Sequence, residues 1–519
     1  MSAARFFIAP LFFSSVALAD WPQWRGPDRS GASSDSTPLL SSLPESGFKQ
    51  VWASGEIPSD HYGGHASPVV SGGKVFLSVV WHKRVPSETR EIDSEVMQTF
   101  NHRGVPPDLA KKMEEARLGL SPRLRGDKLE EFIKKWNEEN LNPEQQIALG
   151  SWVASRFKAG RTAIGLEWLD KISSRQSKPF PNAAALAAWL DEEKFPPDLK
   201  QKVIDAVPNT IKVASDTVVC FDSKTGKELW RFENDGEPVG RRASATAAVV
   251  GDKLYTMGST HVYCLNTNDG SLAWKSLLPG KGPGSSPLVV DGKVFVSSGK
   301  AAAYRADTGE KLWESKEARV GDGSPSWWAP SSGKPHVVIN GNNALYGLDP
   351  ESGAKLWEAP GGSQSSPVTS GDYLVIYSGT EGVGLRTYQY QASGAPKALW
   401  SHYWLTRRYT GTPIVANGLV FAMCGEKHLC FDLVSGKKHW EETVNSTISS
   451  PLLVDGKIFI QENGGTHIRI VKADASSYQM LARGKAAAMS CATPAISDGQ
   501  LFVRQKDKLV AFDIRAPIP

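Results

Sequence analysis

The side chains best suited to chemistry sit in short stretches just ahead of a recurring small-small-Pro motif. Asp60-His61-Tyr62-Gly63-Gly64-His65 precedes Pro68, and Arg241-Arg242 precedes Ala247, where Ala stands in for the proline. Asp322 precedes Pro325, with Trp327-Trp328 just after it, and Arg407-Arg408-Tyr409 precedes Pro413. Guanidinium pairs present planar, two-pronged donors to a carboxylate or phosphate, and Trp328 would supply a stacking plane. His61 and His65 stand four apart with no carboxylate or cysteine in fixed register, which is not a metal-ligand pattern. The candidate ligand-binding set is therefore His61, His65, Arg241, Arg242, Asp322, Trp328, Arg407 and Arg408, with no catalytic and no metal residue assigned. The plainer reading is that these arginines solvate a rim or pair with nearby carboxylates.

The elements that position them come from a repeat. Trp230, Trp274, Trp313, Trp357, Trp400 and Trp440 recur 39 to 44 residues apart, and Leu481 takes the slot after them. Openings recur at Pro68, Ala247, Pro287, Pro325, Pro367, Pro413, Pro451 and Pro494, which makes eight units. Each unit reads as four strands. The turns Asp291-Gly292, Asn417-Gly418, Asp455-Gly456 and Asp498-Gly499 are the dipeptides of type I′ hairpins, where both central residues need positive φ. Four strands every ~40–45 residues is the signature of a propeller blade. The last unit lacks a terminal Trp strand, and Phe48–Trp52 supplies one at the other end of the chain. The expected fold is all-β: an eight-bladed β-propeller closed by the N-terminal strand, an arrangement that leaves no open sheet edge.

Residues 84–212 interrupt this pattern with helical periodicity. Leu129, Phe132, Ile133 and Trp136 share one face, Asn142-Pro143 is a helix start, and Pro106-Pro107 and Pro196-Pro197 open further helices. Five to seven short helices are expected. They are inserted between the second and third strands of blade one, on the face where the inter-blade loops emerge. The organisation is 1–19 signal peptide, 20–47 N-terminal extension, 48–83 and 213–519 propeller, and 84–212 helical cap.

The chain has 519 residues and a formal net charge of +4, with 40% hydrophobic and 22% charged residues. That composition excludes global disorder, a multi-span membrane protein and a nucleic-acid binder defined by bulk charge. Met1–Ala19 has one cation (Arg5), an apolar run and a small-x-small end, the pattern of a secretory signal peptide cleaved after Ala19. A periplasmic or secreted, monomeric protein without a membrane span is expected. Of five cysteines, Cys220, Cys264 and Cys430 share one slot of the repeat and read as small buried hydrophobes, and Cys424 and Cys430 flank one turn.

The repeat, with its x-D-x-x-[TS]-G-K-x-x-W core, resembles the pyrroloquinoline-quinone (PQQ)-type propeller repeat. That family includes the BamB-type assembly scaffold and the quinoprotein alcohol dehydrogenases. The opening Asp20-Trp21-Pro22-Gln23-Trp24-Arg25-Gly26-Pro27 resembles the start of secreted propellers of this kind. The resemblance implies a non-catalytic binding or scaffold protein that takes a protein or polymer ligand at the capped channel face. The alternative it implies is a PQQ-dependent dehydrogenase with calcium, and no cofactor is expected otherwise. The dehydrogenases pack the quinone between a Trp floor and an adjacent Cys-Cys disulfide, and no two cysteines are neighbours here. BamB-type proteins are lipoproteins, whereas this sequence has no cysteine after the small residues. A third reading, acid–base chemistry by the rim histidines and Asp60, has no supporting spacing.

Overall fold

A computed structural model describes residues 20–33, 35, 37–57, 64–239, 244–280, 284–406, 411–447 and 449–517. They form eight antiparallel sheets, seven of four strands and one of three, in chain order except at one place. The first sheet is Val69–Ser71, Lys74–Pro86, Thr210–Asp222 and Glu228–Gly236. The eighth is Ala495–Ser497, Gln500–Arg504 and Leu509–Asp513, with Lys49–Ala53 from the other end of the chain as its fourth strand. The three-stranded sheet results from one long strand, Leu419–Asp432. Its first half pairs Phe421 with Ile414, and its second half pairs Cys430 with Trp440. Gly425, at φ 73°, lies between the halves, so this strand serves as second and third strand together.

The turn chemistry follows the sequence. Asp291, Asn417, Asp455 and Asp498 all have φ of 50–52°, each followed by a glycine with positive φ, as type I′ hairpins demand. In the Asp-x-x-Thr/Ser-Gly turns the aspartate holds the backbone. Asp222 Oδ1 accepts from the amide (2.8 Å) and hydroxyl (2.7 Å) of Thr225, and Asp432 does the same with Ser435. These bonds keep both carboxyls below their usual range.

The tryptophans occupy one register. Trp230, Trp274, Trp313, Trp357, Trp400 and Trp440 stand opposite Cys220, Cys264, Ala303, Gly347, Thr387 and Cys430 of the strand before, and Trp52 stands opposite Ala511 in the same way. The seventh sheet corrects the sequence reading. A bulge puts Ala482, not Leu481, at the tryptophan position, and Phe48 packs in the same apolar cluster.

All of these indoles but Trp357 are clamped by the following sheet. Trp230 Nε1 donates to Thr267 O (3.1 Å), Trp313 to Pro350 O (2.9 Å) and Trp400 to Leu433 O (2.9 Å). Trp52 donates to Ser223 O (2.9 Å), so the eighth sheet docks on the first as the others dock on their successors. A turn glycine packs on five of the rings: Gly226 on Trp52, Gly270 on Trp230, Gly309 on Trp274, Gly353 on Trp313 and Gly436 on Trp400. A Cβ on Gly353 (φ 70°) would stand 2.4 Å from Trp313 Cε3. Gly353→Ala should therefore lower the unfolding free energy by roughly 1–3 kcal/mol through overpacking, before any left-handed backbone strain, as a denaturant melt would measure. Trp357 differs, and the fifth sheet has no Asp-x-x-Thr/Ser-Gly turn between its third and fourth strands. Its Nε1 donates instead to His336 Nδ1 within its own sheet (2.8 Å).

Nearer the axis the sheets are laced by hydroxyls. The residue before each opening proline is Ser or Thr. Its amide donates to the corresponding hydroxyl of the next sheet: Ser67 to Thr246, Thr246 to Ser286, Ser286 to Ser324, Ser324 to Ser366, Ser366 to Thr412 and Thr412 to Ser450, at 2.8–3.1 Å. Thr493 of the eighth sheet donates to Ser67 of the first at 2.9 Å.

Residues 20–33 run among the first strands. Trp21 bridges Val70, Pro22 O accepts from Val249, Arg29 reaches Pro287 O (2.7 Å), Arg25 reaches Pro413 O (2.6 Å), and Ala32 bridges Leu453. The segment thus touches the first, second, third, sixth and seventh sheets.

Candidate functional site

The first sheet carries the helices. Its second and third strands pair without a break from Lys74–Asp222 to Pro86–Thr210, a stalk that extends further than the expected boundaries of 84 and 212. Between its ends lie α1 (Ser94–Thr99), α2 (Pro107–Gly119), α3 (Asp127–Asn140), α4 (Pro143–Ala159), α5 (Leu166–Ser174), α6 (Ala183–Glu192) and α7 (Pro197–Ala206). Asn142 caps α4 in a reciprocal capping box with Gln145, with Pro143 at the first helical position. The helices bury a core of their own, including Val96, Ile133, Trp136, Trp152, Phe157, Leu169 and Leu190. Glu114 ties α2 to α4 by accepting from Arg117 (2.6 Å) and Arg156 (2.8 Å), both nearly fully buried.

The amino-terminal half of α4 faces the loops of distant sheets. Glu144, Ile147 and Ala148 form one wall of a cleft of 540 Å³, and Asn342, Gln364, Thr380, Leu405 and Thr406 line the other. Those loops either join one sheet to the next or join second to third strands, so they emerge on the stalk's face. The lining is rich in amides and hydroxyls, with Ile147 and Leu405 as apolar contacts.

Three of the eight candidate residues are described. Asp322 is half-buried at the border of the cleft, where its Oδ2 accepts from Gln364 Nε2 (3.2 Å). His65 is buried in the seam between the first and eighth sheets, with Nδ1 against Ser490 O. Trp328 corrects the sequence reading, since it is fully buried and offers no stacking plane. Its strand pairing turns the indole into the seam with the fifth sheet, where Nε1 donates to Gly371 O (2.9 Å) and the ring meets Trp357 and Tyr390 edge-on. His61, Arg241, Arg242, Arg407 and Arg408 lie outside the described residues.

Two buried polar groups escaped the sequence reading. Asp216, 3% exposed, accepts from the Tyr263 hydroxyl and the Ser259 amide, both at 2.7 Å, and burial raises its carboxyl above the usual range. A Cβ at Gly258 would stand 2.2 Å from that carboxylate, so no reactant fits beside it. Glu462, 4% exposed, takes Arg483 on both oxygens (2.7 Å each) and Arg469 on Oε1 (3.1 Å). His428, fully buried beside Tyr478 in the same group, is held neutral, its pKa pushed down to about 3 by burial. Neither group belongs to the repeat core, and a polar residue on a strand gives no hint of its partner in the next sheet.

Cys220, Cys264 and Cys430 are free and buried. Burial pushes the thiols of Cys220 and Cys430 up to about 12, which makes them inert packing groups. For a quinone with calcium the described residues are a poor fit: Trp328 is sealed between sheets, and no group of three His, Cys, Asp or Glu among them could hold a metal ion. No described helix is long and apolar enough to cross a membrane.

The sequence matches the family described as outer membrane protein assembly factor BamB over residues 214–382 and 397–480. BamB of Salmonella typhimurium is 23% identical over 320 residues, covering 49% of this chain and 80% of that protein. Tetrathionate hydrolase of Acidithiobacillus ferrooxidans is 24% identical over 269 residues, covering 49% of this chain and 47% of its own length. Among solved structures, BamB from Moraxella catarrhalis superposes with a TM-score of 0.46 at 13% identity, over 59% of this chain and 92% of that one. With its strand-built repeats in register sheet after sheet, the chain is similar to the BamB-like family of PQQ-type β-propeller repeat proteins.

Proposed function

We propose that this protein is an exported, non-catalytic binding or scaffold propeller. In this reading its eight sheets form one ring closed by Lys49–Ala53, the helices are a cap over the ring's loop face, and the ligand is a protein or polymer held beneath the cap. The observation that carries it is the cleft between α4 and the loops of the fourth to sixth sheets. Its amides and hydroxyls, beside the Glu144 carboxylate, suit an extended chain with regularly spaced hydrogen-bonding groups, a polypeptide or polysaccharide, better than a reacting small molecule. The family match to an assembly factor supports the same reading. The export reading rests on the pattern of Met1–Ala19, which lies outside the described residues.

Photo-crosslinkers at Gln364 and Ile147 should trap the same partner in cell-envelope fractions, and one at Lys437, on a turn between third and fourth strands, should not. Adding PQQ and Ca²⁺ to the purified protein should give neither bound-quinone absorbance nor dye reduction. Either signal, or equal trapping at all three positions, would overturn the proposal.

A further inference from the structure

Arg25 and Arg29, on the segment that runs among the first strands, are 1% and 6% exposed. Both have the left-handed backbone that non-glycine residues avoid, with φ of 66° and 64°. Such strain persists only where the surroundings fix it, and it concentrates at binding sites. Burial lowers both guanidiniums to about 9, so they remain charged at neutral pH. Their hydrogen-bond partners among the described residues are neutral: Ser30 O and Pro413 O for Arg25, and Gln23 Oε1, Ser286 O and Pro287 O for Arg29. Both guanidinium carbons lie within 6 Å of the Trp24 ring, at 5.7 and 5.8 Å, so the two charges share one neighbourhood.

The nearest acid does not neutralise them. Asp28 favours the charged form of Arg25 from a distance, but its Oδ1 is engaged by the amide (3.0 Å) and hydroxyl (2.6 Å) of Ser30. Neither arginine makes an ion pair among the described residues, and Arg25 Nε, Arg25 Nη1 and Arg29 Nε are buried with no acceptor. Two cations without an ion-pair partner among the described residues cannot stay desolvated cheaply, because an uncompensated buried charge costs several kcal/mol and arginine cannot shed its proton.

We propose that the propeller axis holds a small inorganic anion, bound by Arg25 and Arg29 through these free donors and shielded beneath the ring of Ser and Thr hydroxyls. The site is separate from the cleft under α4, so its test and that of the scaffold reading fail independently. Crystals of the full protein soaked in bromide should show an anomalous peak in hydrogen-bond contact with Arg25 Nε or Nη1. The unfolding midpoint should rise with bromide or sulfate beyond the effect of ionic strength, and Arg29→Gln should lose at least most of that rise. Arg25→Lys keeps the charge but not the planar donors, and should weaken anion dependence about tenfold. Water alone at the site, a bromide peak without any stabilisation, or equal anion dependence in wild type and Arg29→Gln would overturn the proposal.

Discussion

Trp52→Ala should lower the stability of the propeller by about 3–5 kcal/mol, the range for deleting a buried Trp, with aggregation on heating. Trp52 is 6% exposed, its indole donates to Ser223 O, and its ring lies on Gly226 of the first sheet and 5.9 Å from Phe502 of the eighth. It therefore joins two ends of the chain that no covalent link holds together. Removing residues 48–54 should act further in the same direction, since the Leu509–Asp513 strand loses its partner and presents an unpaired edge. Calorimetry and light scattering read both effects. A truncated protein that melts like the parent and stays monomeric would refute the closed ring.

Glu462→Ala should cost about 3–5 kcal/mol at neutral pH, because it leaves the buried Arg469 charge without its counter-ion. The Arg483 and Arg469 hydrogen bonds hold the Glu462 carboxyl below its ordinary value. A carboxylate whose folded pKa is depressed contributes stability that is complete above the unfolded pKa, about 4.3, and is lost as pH falls through the folded value. The gap between wild type and Glu462→Gln should therefore be widest near neutrality and close below roughly pH 4. Urea melts across that range measure it, and a gap independent of pH would show that the arginines do not depend on this charge.

What was legible in the sequence was whatever repeats. One Trp in most periods, the Asp-Gly turns and the Asp-x-x-Ser/Thr-Gly turns each report a backbone requirement that recurs in several sheets, so they point to strands, hairpins and the pairing of Trp52. The small-small-Pro openings were equally plain, but that the residue before each proline is always a hydroxyl went unread; it marks a contact between sheets, not within one. Trp328 misled because adjacent aromatics at a strand end look alike whether they face a mouth or a seam. Only the next sheet's Gly371 decides between them. Residues 20–33 have no period at all, and their place among the first strands depends on carbonyls hundreds of positions away. The cleft likewise joins α4 to loops some two hundred residues later, a proximity no local pattern encodes.

The seven hydroxyl bonds between openings all run in one direction: each of these amides gives to the sheet that follows, and Thr493 gives to Ser67 as though the chain simply continued. Such a series has direction but no marked beginning. The join between last and first units uses the same bond as six joins along the chain, so at that point where the polypeptide starts and stops is a matter of genetics rather than of mechanics. Chain ends could migrate to another junction by circular permutation, or a unit could be gained by duplication, and each new hydroxyl would find an amide already pointing at it. A fold wired in this manner can be lengthened or re-cut during evolution while its loop face is rebuilt for a different ligand.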